Sequence, residues 1–250
     1  MTDNKPLAGR VTLVTGASRG IGYASALALS KAGSHIIAVA RTQGGLEDLD
    51  DAIKAGGGEA TLVPMDLQNP DGLDHLAVAI AKRWERLDGV FGNAGVLGEM
   101  TLAQQVTPKI FNQVFAVNMT ANYRLIRAVD PLLRASPSGR AVFVTSGVAA
   151  TRRAYWSAYA ASKSALEAYV SCYAKEVEIT NMRVNLLNPG AVRTHMRGKA
   201  MPGEDPSTLP APSDVAPLIV DMLSPAYGSH DQIISFRQSP YYSGKSCVSR

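Results

Sequence analysis

Tyr159 and Lys163 stand four residues apart in a stretch of helical periodicity, so both side chains lie on one helix face. A phenol ordinarily titrates near pH ~10, and it exchanges protons near neutrality only where positive charge stabilises the phenolate. Lys163 supplies such a charge. Ser146, thirteen residues before Tyr159, follows the apolar run Ala141 to Thr145, where a hydroxyl can donate to a substrate oxygen as charge develops on it. Near the amino end, Thr15-Gly16-Ala17-Ser18-Arg19-Gly20-Ile21-Gly22 follows a β-rich run. Gly16 suits a tight turn, Gly20 lets backbone approach a pyrophosphate, and Gly22 allows the new helix to pack closely. Each signal alone has a plain structural reading. Glycine turns often connect strand to helix, and the Tyr–Lys spacing recurs at Tyr241 and Lys245 among Pro, Ser and Gly, where no helix aligns it. In this order they point to hydride transfer with an oxidisable dinucleotide, whose positive ring would add to the field of Lys163.

The elements that must position these residues follow from alternation. Apolar, β-rich runs lie at Val11 to Thr15, His35 to Ala40, Ala60 to Met65, Gly89 to Phe91, Ala141 to Thr145, Arg183 to Leu187 and Gln232 to Phe236. Helical patterns fill the gaps at Gly20 to Ala32, Leu46 to Ala55, Asp71 to Arg86, Pro108 to Arg134, Ser157 to Ile179 and Ser213 to Met222. Strands alternating with helices imply right-handed crossovers and a parallel sheet covered on both faces. The expected fold is α/β, a Rossmann-type doubly wound parallel sheet of about seven strands. Its ligand crevice lies beyond the carboxyl ends of the strands, where Gly16 and Ser146 stand. Residues 1–250 read as one domain, without repeat or linker, ending in a polar tail from about residue 238. Met201 to Pro212 reads as a surface excursion over the site.

Composition narrows the function classes. The chain has 250 residues, 46% hydrophobic and 18% charged, enough to bury a substantial core. Its 25 basic and 21 acidic residues are interspersed, and a formal charge of +4 suits anionic cofactors or substrates at least as well as nucleic acid. Cys172 and Cys247 support no disulfide framework, and His35, His75, His195 and His230 are too isolated for a metal site. With no secretory or membrane-spanning run, the expectation is a cytoplasmic protein binding neither membrane nor nucleic acid.

Further motifs sit after the other strands: Asp66-Leu67 after the third, Asn93-Ala94-Gly95 after the fourth, Asn118 in the long helical stretch, and Asn188-Pro189-Gly190 through Thr194 after the sixth. With Thr15 to Gly22, Ser146, Tyr159 and Lys163, they make the chain resemble the short-chain dehydrogenase/reductase family over nearly its whole length. The resemblance implies a catalytic tetrad of Asn118, Ser146, Tyr159 and Lys163. In it Tyr159 is the general acid in reduction, Ser146 polarises the carbonyl, Lys163 binds the nicotinamide ribose and lowers the tyrosine pKa, and Asn118 holds a proton-relaying water. It also implies a cofactor site made of Gly16, Ser18, Arg19, Gly20, Ile21 and Gly22 at the turn, Arg41 after the second strand, Asp66 and Leu67 at the adenine, Asn93, Ala94 and Gly95, and Pro189, Gly190, Val192 and Thr194 near the nicotinamide. Without the resemblance, Asn93 and Asn118 read first as helix-cap or buried amide groups.

Relatives that prefer NAD commonly end the second strand with an acidic residue, but here Ala40 holds that place and Arg41 follows. With Arg19 in the turn, two guanidinium groups can converge on a 2′-phosphate, so NADPH is expected over NADH. The resemblance implies a homotetramer or dimer built from the long helices. Two features depart from the family: Gly92 stands before Asn93, and the Asp-Gly-Gly close near the end is absent, replaced by Gln232 to Gln238. The leading function is an NADP-dependent oxidoreductase interconverting an alcohol and a ketone or aldehyde. The alternatives are a 3-oxoacyl-thioester reductase, for which the sequence places no basic entrance, and a non-catalytic cofactor-binding protein. The expected substrate lining is Leu97 to Met100, Val148, Tyr155 and Met196 to Pro212, with Trp156 as a packing residue and Arg152 and Arg153 facing solvent.

Overall fold

The computed structural model describes residues 5–243. Seven strands, β1 (Val11–Thr15), β2 (His35–Ala40), β3 (Ala60–Pro64), β4 (Gly89–Gly92), β5 (Arg140–Val144), β6 (Arg183–Asn188) and β7 (Ile233–Ser235), form one parallel sheet. The order is β3-β2-β1-β4-β5-β6-β7. Every residue of β1 and β5 is buried, as expected of parallel strands covered on both faces, with Val, Leu and Thr in β1 and Val, Phe, Ala and Arg140 in β5. The sense in which successive strands are added to the sheet reverses between β1 and β4, which pair in parallel with Val14 beside Phe91. The crevice of a doubly wound sheet opens at that point.

Helices α1 (Gly20–Lys31), α2 (Gln43–Ala55), α3 (Gly72–Trp84), α4 (Pro108–Phe115), α5 (Ala121–Arg134), α6 (Val148–Thr151), α7 (Ser157–Glu176), α8 (His195–Ala200) and α9 (Pro212–Met222) make up the outer layers. Leu29, Leu49 and Ile219 of α1, α2 and α9 join one core cluster with Val14, Ala38 and Val142. Leu73, Leu125 and Leu166 of α3, α5 and α7 join the other with Leu13, Ile37 and Phe143. Adjacent strand residues thus feed opposite cores.

The structure adds detail to these boundaries and corrects one of them. The helix expected over Pro108 to Arg134 is divided: a π turn at Ala116–Thr120 separates α4 from α5. The last run does form a strand, β7, parallel to β6, and the following 3₁₀ turn buries Phe236 in the core. Two short helices, α6 and α8, were invisible to periodicity because each has fewer than two turns. Finally, the excursion after α8 is tied down, with Arg197 bidentate to Glu204 at 2.5 and 2.7 Å and the Arg193 amide donating to the Pro210 carbonyl at 2.9 Å. Lys245, Cys247 and the tail from residue 244 lie outside the described residues. Among the described residues no group of His, Cys, Asp and Glu is placed to hold a metal, and no helix is long and apolar enough to cross a membrane.

Candidate active site

One cavity of about 560 Å³ runs along the carboxyl ends of the strands, from Arg41 and Asp66 at one end to Tyr159 and Met196 at the other. Its floor begins where β1 ends. Gly16 and Gly20 both have positive φ, 67° and 59°, a region costly for residues bearing a Cβ. A Cβ on Gly16 would stand 2.9 Å from Asn93 Nδ2, and one on Gly22 would run into the Gly16 carbonyl oxygen. A Cβ on Gly20 would project to 3.5 Å from Thr194 across the cavity. Helix α1 opens on this turn with no side-chain cap and no acidic residue in its first turn. Its first amides and positive end therefore point to the cavity without internal competition, a donor set that fits a phosphate.

Asn93 holds the turn in shape. Its Nδ2 donates to the Thr15 carbonyl at 3.0 Å and to that of Gly16 at 3.3 Å, while the Asn93 and Ala94 amides donate to Thr15 Oγ1 at 3.0 and 3.1 Å. Asn93 thus acts first on the protein's own cradle, with Ala94 and Gly95 beside it in the wall. The sequence reading gave Thr15 as the strand end and first residue of the turn motif, without this hydrogen-bonding role. Beyond the turn, Ser18, Arg19, Ala40, Arg41, Thr42, Asp66 and Leu67 line one end. Arg41 lies 3.9 Å from Asp66, an exposed and long ion pair. Such pairs contribute ~0–1 kcal/mol, so Asp66 does not commit Arg41.

At the other end, α7 brings Tyr159 and Lys163 to the wall together with Val144, Thr145 and Ser146 from the end of β5. The Ser146 hydroxyl lies in hydrogen-bonding reach of the Tyr159 phenol and favours its ionised form, but burial outweighs it and pushes the phenol up to about 12. Lys163 is 2% exposed, its Nζ donates to the Val144 carbonyl at 2.7 Å and lies 5.8 Å from the Tyr159 ring centre. Burial brings its pKa down to about 8, against a smaller upward pull from Glu167. In this form of the protein the expected lowering of the tyrosine pKa is absent, because desolvation dominates.

Asn118 does not line the cavity. It is fully buried behind it, in the π turn, where Oδ1 accepts from the Val96 amide at 2.8 Å and Nδ2 donates to the Val96 carbonyl at 2.9 Å and to Ser162 Oγ at 3.0 Å. Ser162 Oγ donates in turn to the Tyr159 carbonyl at 2.8 Å. Both amide hydrogens of Asn118 are engaged, so its side chain braces α7 against the segment after β4. The Asn118 carbonyl also accepts from Asn122 Nδ2 at 2.9 Å, tying the π turn to the start of α5. Asn188 is a further residue that sequence reasoning passed over as part of a motif. Its Oδ1 accepts from the Gly147 amide at 3.2 Å and the Gly190 amide at 3.1 Å, tying the segment after Ser146 to the end of β6. Pro189, Gly190, Val192 and Thr194 continue the wall from there, and Thr194 caps α8 by accepting from the Arg197 amide.

The substrate side differs from the expectation at several residues. Tyr155 is 57% exposed and outside the cavity, in a left-handed turn at φ 72°, and Val148 packs behind Tyr159. Trp156 does line the cavity, with its ring edge-on to Tyr159 at 5.9 Å. Ile110, Gln113 and Val117 also line it, a contribution of α4 and the π turn that no motif marked. On the other side the wall ends at Ala200, so the excursion after it contributes no lining residue.

Comparison with known proteins gives the same outline. The family model for short chain dehydrogenases matches residues 10–205. The uncharacterized oxidoreductase YciK of Escherichia coli (strain K12) is 39% identical over 212 residues, 84% of each chain. A chain from Shigella flexneri 2a str. 301, solved in complex with NADP, superposes with a TM-score of 0.89 at 34% identity, covering 93% of this chain and 99% of that one. A chain from Escherichia coli CFT073, solved in complex with NADPH, gives 0.87 at 34% identity over 93% and 98%.

Proposed function

This chain belongs to the short-chain dehydrogenase family and is an oxidoreductase, and on that premise we propose that it transfers hydride between NADP and a small alcohol or carbonyl compound, with Tyr159 as the general acid and base. The observation that carries the reading is the single cavity joining an uncapped glycine turn at one end to Ser146, Tyr159 and Lys163 at the other. The cofactor when bound supplies or accepts the hydride. In reduction the Tyr159 hydroxyl gives its proton to the carbonyl oxygen while Ser146 donates a hydrogen bond to the same oxygen. Lys163, with one donor on the Val144 carbonyl, turns its others to the ribose and favours the phenolate left behind. Asn118 acts here through its neighbours, bracing α7 beneath Tyr159 by its bonds to Val96 and Ser162.

Ala40, Arg41 and Arg19 support NADP over NAD. No carboxylate ends β2 to meet a 2′-phosphate, and both guanidinium groups border that end of the cavity. A hydrogen bond to a charged group contributes roughly 1.5–3 kcal/mol, or about tenfold in affinity and more. The NADP and NADPH complexes of the two similar chains support the same choice. The test is a titration with NADPH and NADH at two salt concentrations. We expect tighter NADPH binding, eroded by salt, and at least about a tenfold loss in an Arg19→Ala, Arg41→Ala double variant with NADH affinity unchanged. Equal affinities, or tighter NADH, would overturn the assignment. Oxidation of NADPH across a panel of ketones and aldehydes then defines the substrate.

The 3-oxoacyl-thioester variant gains one observation, since His195 and Lys199 border the mouth and could meet an anionic carrier. Glu99 borders it as well, which favours a smaller, less charged substrate. A homo-oligomer, dimer or tetramer, is supported by Phe111 and Tyr123, which remain 43% and 38% exposed on α4 and α5. Light scattering decides the copy number.

A further inference from the structure

Glu167 lies one helical turn beyond Lys163 on α7 and belongs to no motif of the cofactor or substrate site. Thr145 Oγ1 donates to Glu167 Oε1 at 2.6 Å. Thr145 is itself buried between two residues of the site: Val144, whose carbonyl accepts from Lys163 Nζ at 2.7 Å, and Ser146. The Thr145 amide is held from the other side by the Leu187 carbonyl at 2.8 Å. A carboxylate on α7 therefore fastens the end of β5 at the one residue that joins the anchor of Lys163 to Ser146.

The surroundings of Lys163 make that carboxylate matter. Helix α7 presents Tyr159 and Glu167 to it, β5 and its continuation present the Val144 carbonyl, Thr145 and Ser146, and the segment after β4 presents Gly95, whose Cβ position lies 3.7 Å from Nζ. The π turn presents Asn118, whose side chain is engaged with Val96 and Ser162. Glu167 is the charged side chain that acts on Lys163 among the described residues. A fully buried ammonium without a counter-charge loses its proton readily.

From this geometry, and resting on the reading of Lys163 given above, we infer that Glu167 is a positioning residue of the reaction. It supplies the counter-charge that keeps Lys163 protonated in the buried site and, through Thr145, holds the Val144 carbonyl and Ser146 in register with Tyr159. No covalent step is involved.

The test separates charge from tether. Titration of Lys163 is followed by NMR of isotope-labelled lysine in the cofactor-free protein, its signal assigned by loss in Lys163→Met. In Glu167→Gln, which keeps an oxygen for Thr145 but removes the charge, the Lys163 midpoint should fall by about 1 pH unit. The basic limb of kcat/KM should move with it. In Thr145→Ser neither should move. Thr145→Val frees the carboxylate toward solvent and should move the midpoint the same way by less, which keeps the question open to measurement if Glu167→Gln folds poorly. An unchanged midpoint in folded Glu167→Gln, or in folded Thr145→Val should the former not fold, overturns the inference. A midpoint that moves without the kinetic limb supports the role of Glu167 toward Lys163 and overturns instead the assignment of Lys163 to turnover.

Discussion

Tyr159 carries the sharpest prediction at the scale of single residues. Tyr159→Phe removes one oxygen from a side chain already packed against Val148, Ala160 and Trp156, so the fold and the glycine turn at the far end of the cavity are untouched. Turnover should fall roughly 100-fold or more, the range of a lost general acid, while NADPH affinity in a fluorescence titration stays within a factor of about two. Tyr241→Phe, at a phenol outside the cavity, should leave turnover unchanged. Retention of most activity by Tyr159→Phe on a good substrate would remove the phenol from the mechanism. These side chains were legible in the sequence because their chemistry depends on type and order. Thr15, Asn188 and Glu167 were not, since each works through a hydrogen bond whose partner is far away in the chain or on another element.

Among the elements, the π turn at Ala116–Thr120 is what periodicity concealed. Apolar residues recur at helical spacing on both sides of it, and one extra residue in a turn alters the phase of the pattern less than single-sequence reading can register. Its consequence is large. Asn118 turns inward and links three elements through Val96, Ser162 and, by way of Ser162, the carbonyl of Tyr159. In Asn118→Ala those buried partners lose their bonds, at a cost of about 1–3 kcal/mol for each group left unsatisfied. Urea denaturation should therefore show a marked loss of stability, accompanied by a fall in kcat. Ser162→Ala removes the bond accepted from Asn118 and the one donated to Tyr159 but keeps both Asn118 bonds to Val96, and should cost less than Asn118→Ala, about 1–2 kcal/mol, with a smaller effect on turnover. If Asn118→Ala matched the native protein in stability, the brace would be energetically idle. Strands were read more accurately than helices, because short buried runs such as Val11–Thr15 and His35–Ala40 are bounded by residues that stop them on both sides.

For the whole molecule, two groups in the site tie stability to pH in opposite senses. Lys163 titrates at about 8 when folded, below its ordinary 10.5. Between those values the unfolded chain binds the extra proton, so stability rises with pH; below about 8 the full penalty of a buried ammonium is present. Tyr159 has the contrary effect, since its folded value near 12 exceeds the ordinary 10.0 and stability falls as pH rises through that interval. The molecule thus bears a cost at neutral pH to keep a charged group in the cavity wall. Lys163→Met discards that charge while preserving most of the buried volume. It should stabilise the cofactor-free protein by on the order of 1–3 kcal/mol at neutral pH, less the lost hydrogen bond to Val144, and abolish activity. The gain should shrink between pH 8 and 10.5 as the native lysine gives up its proton, and Tyr159→Phe should leave that part of the curve alone. Thermal melting of the two variants and the native protein across this range checks the sign. A Lys163→Met gain that is flat with pH would mean that packing, and not the buried charge, sets the difference.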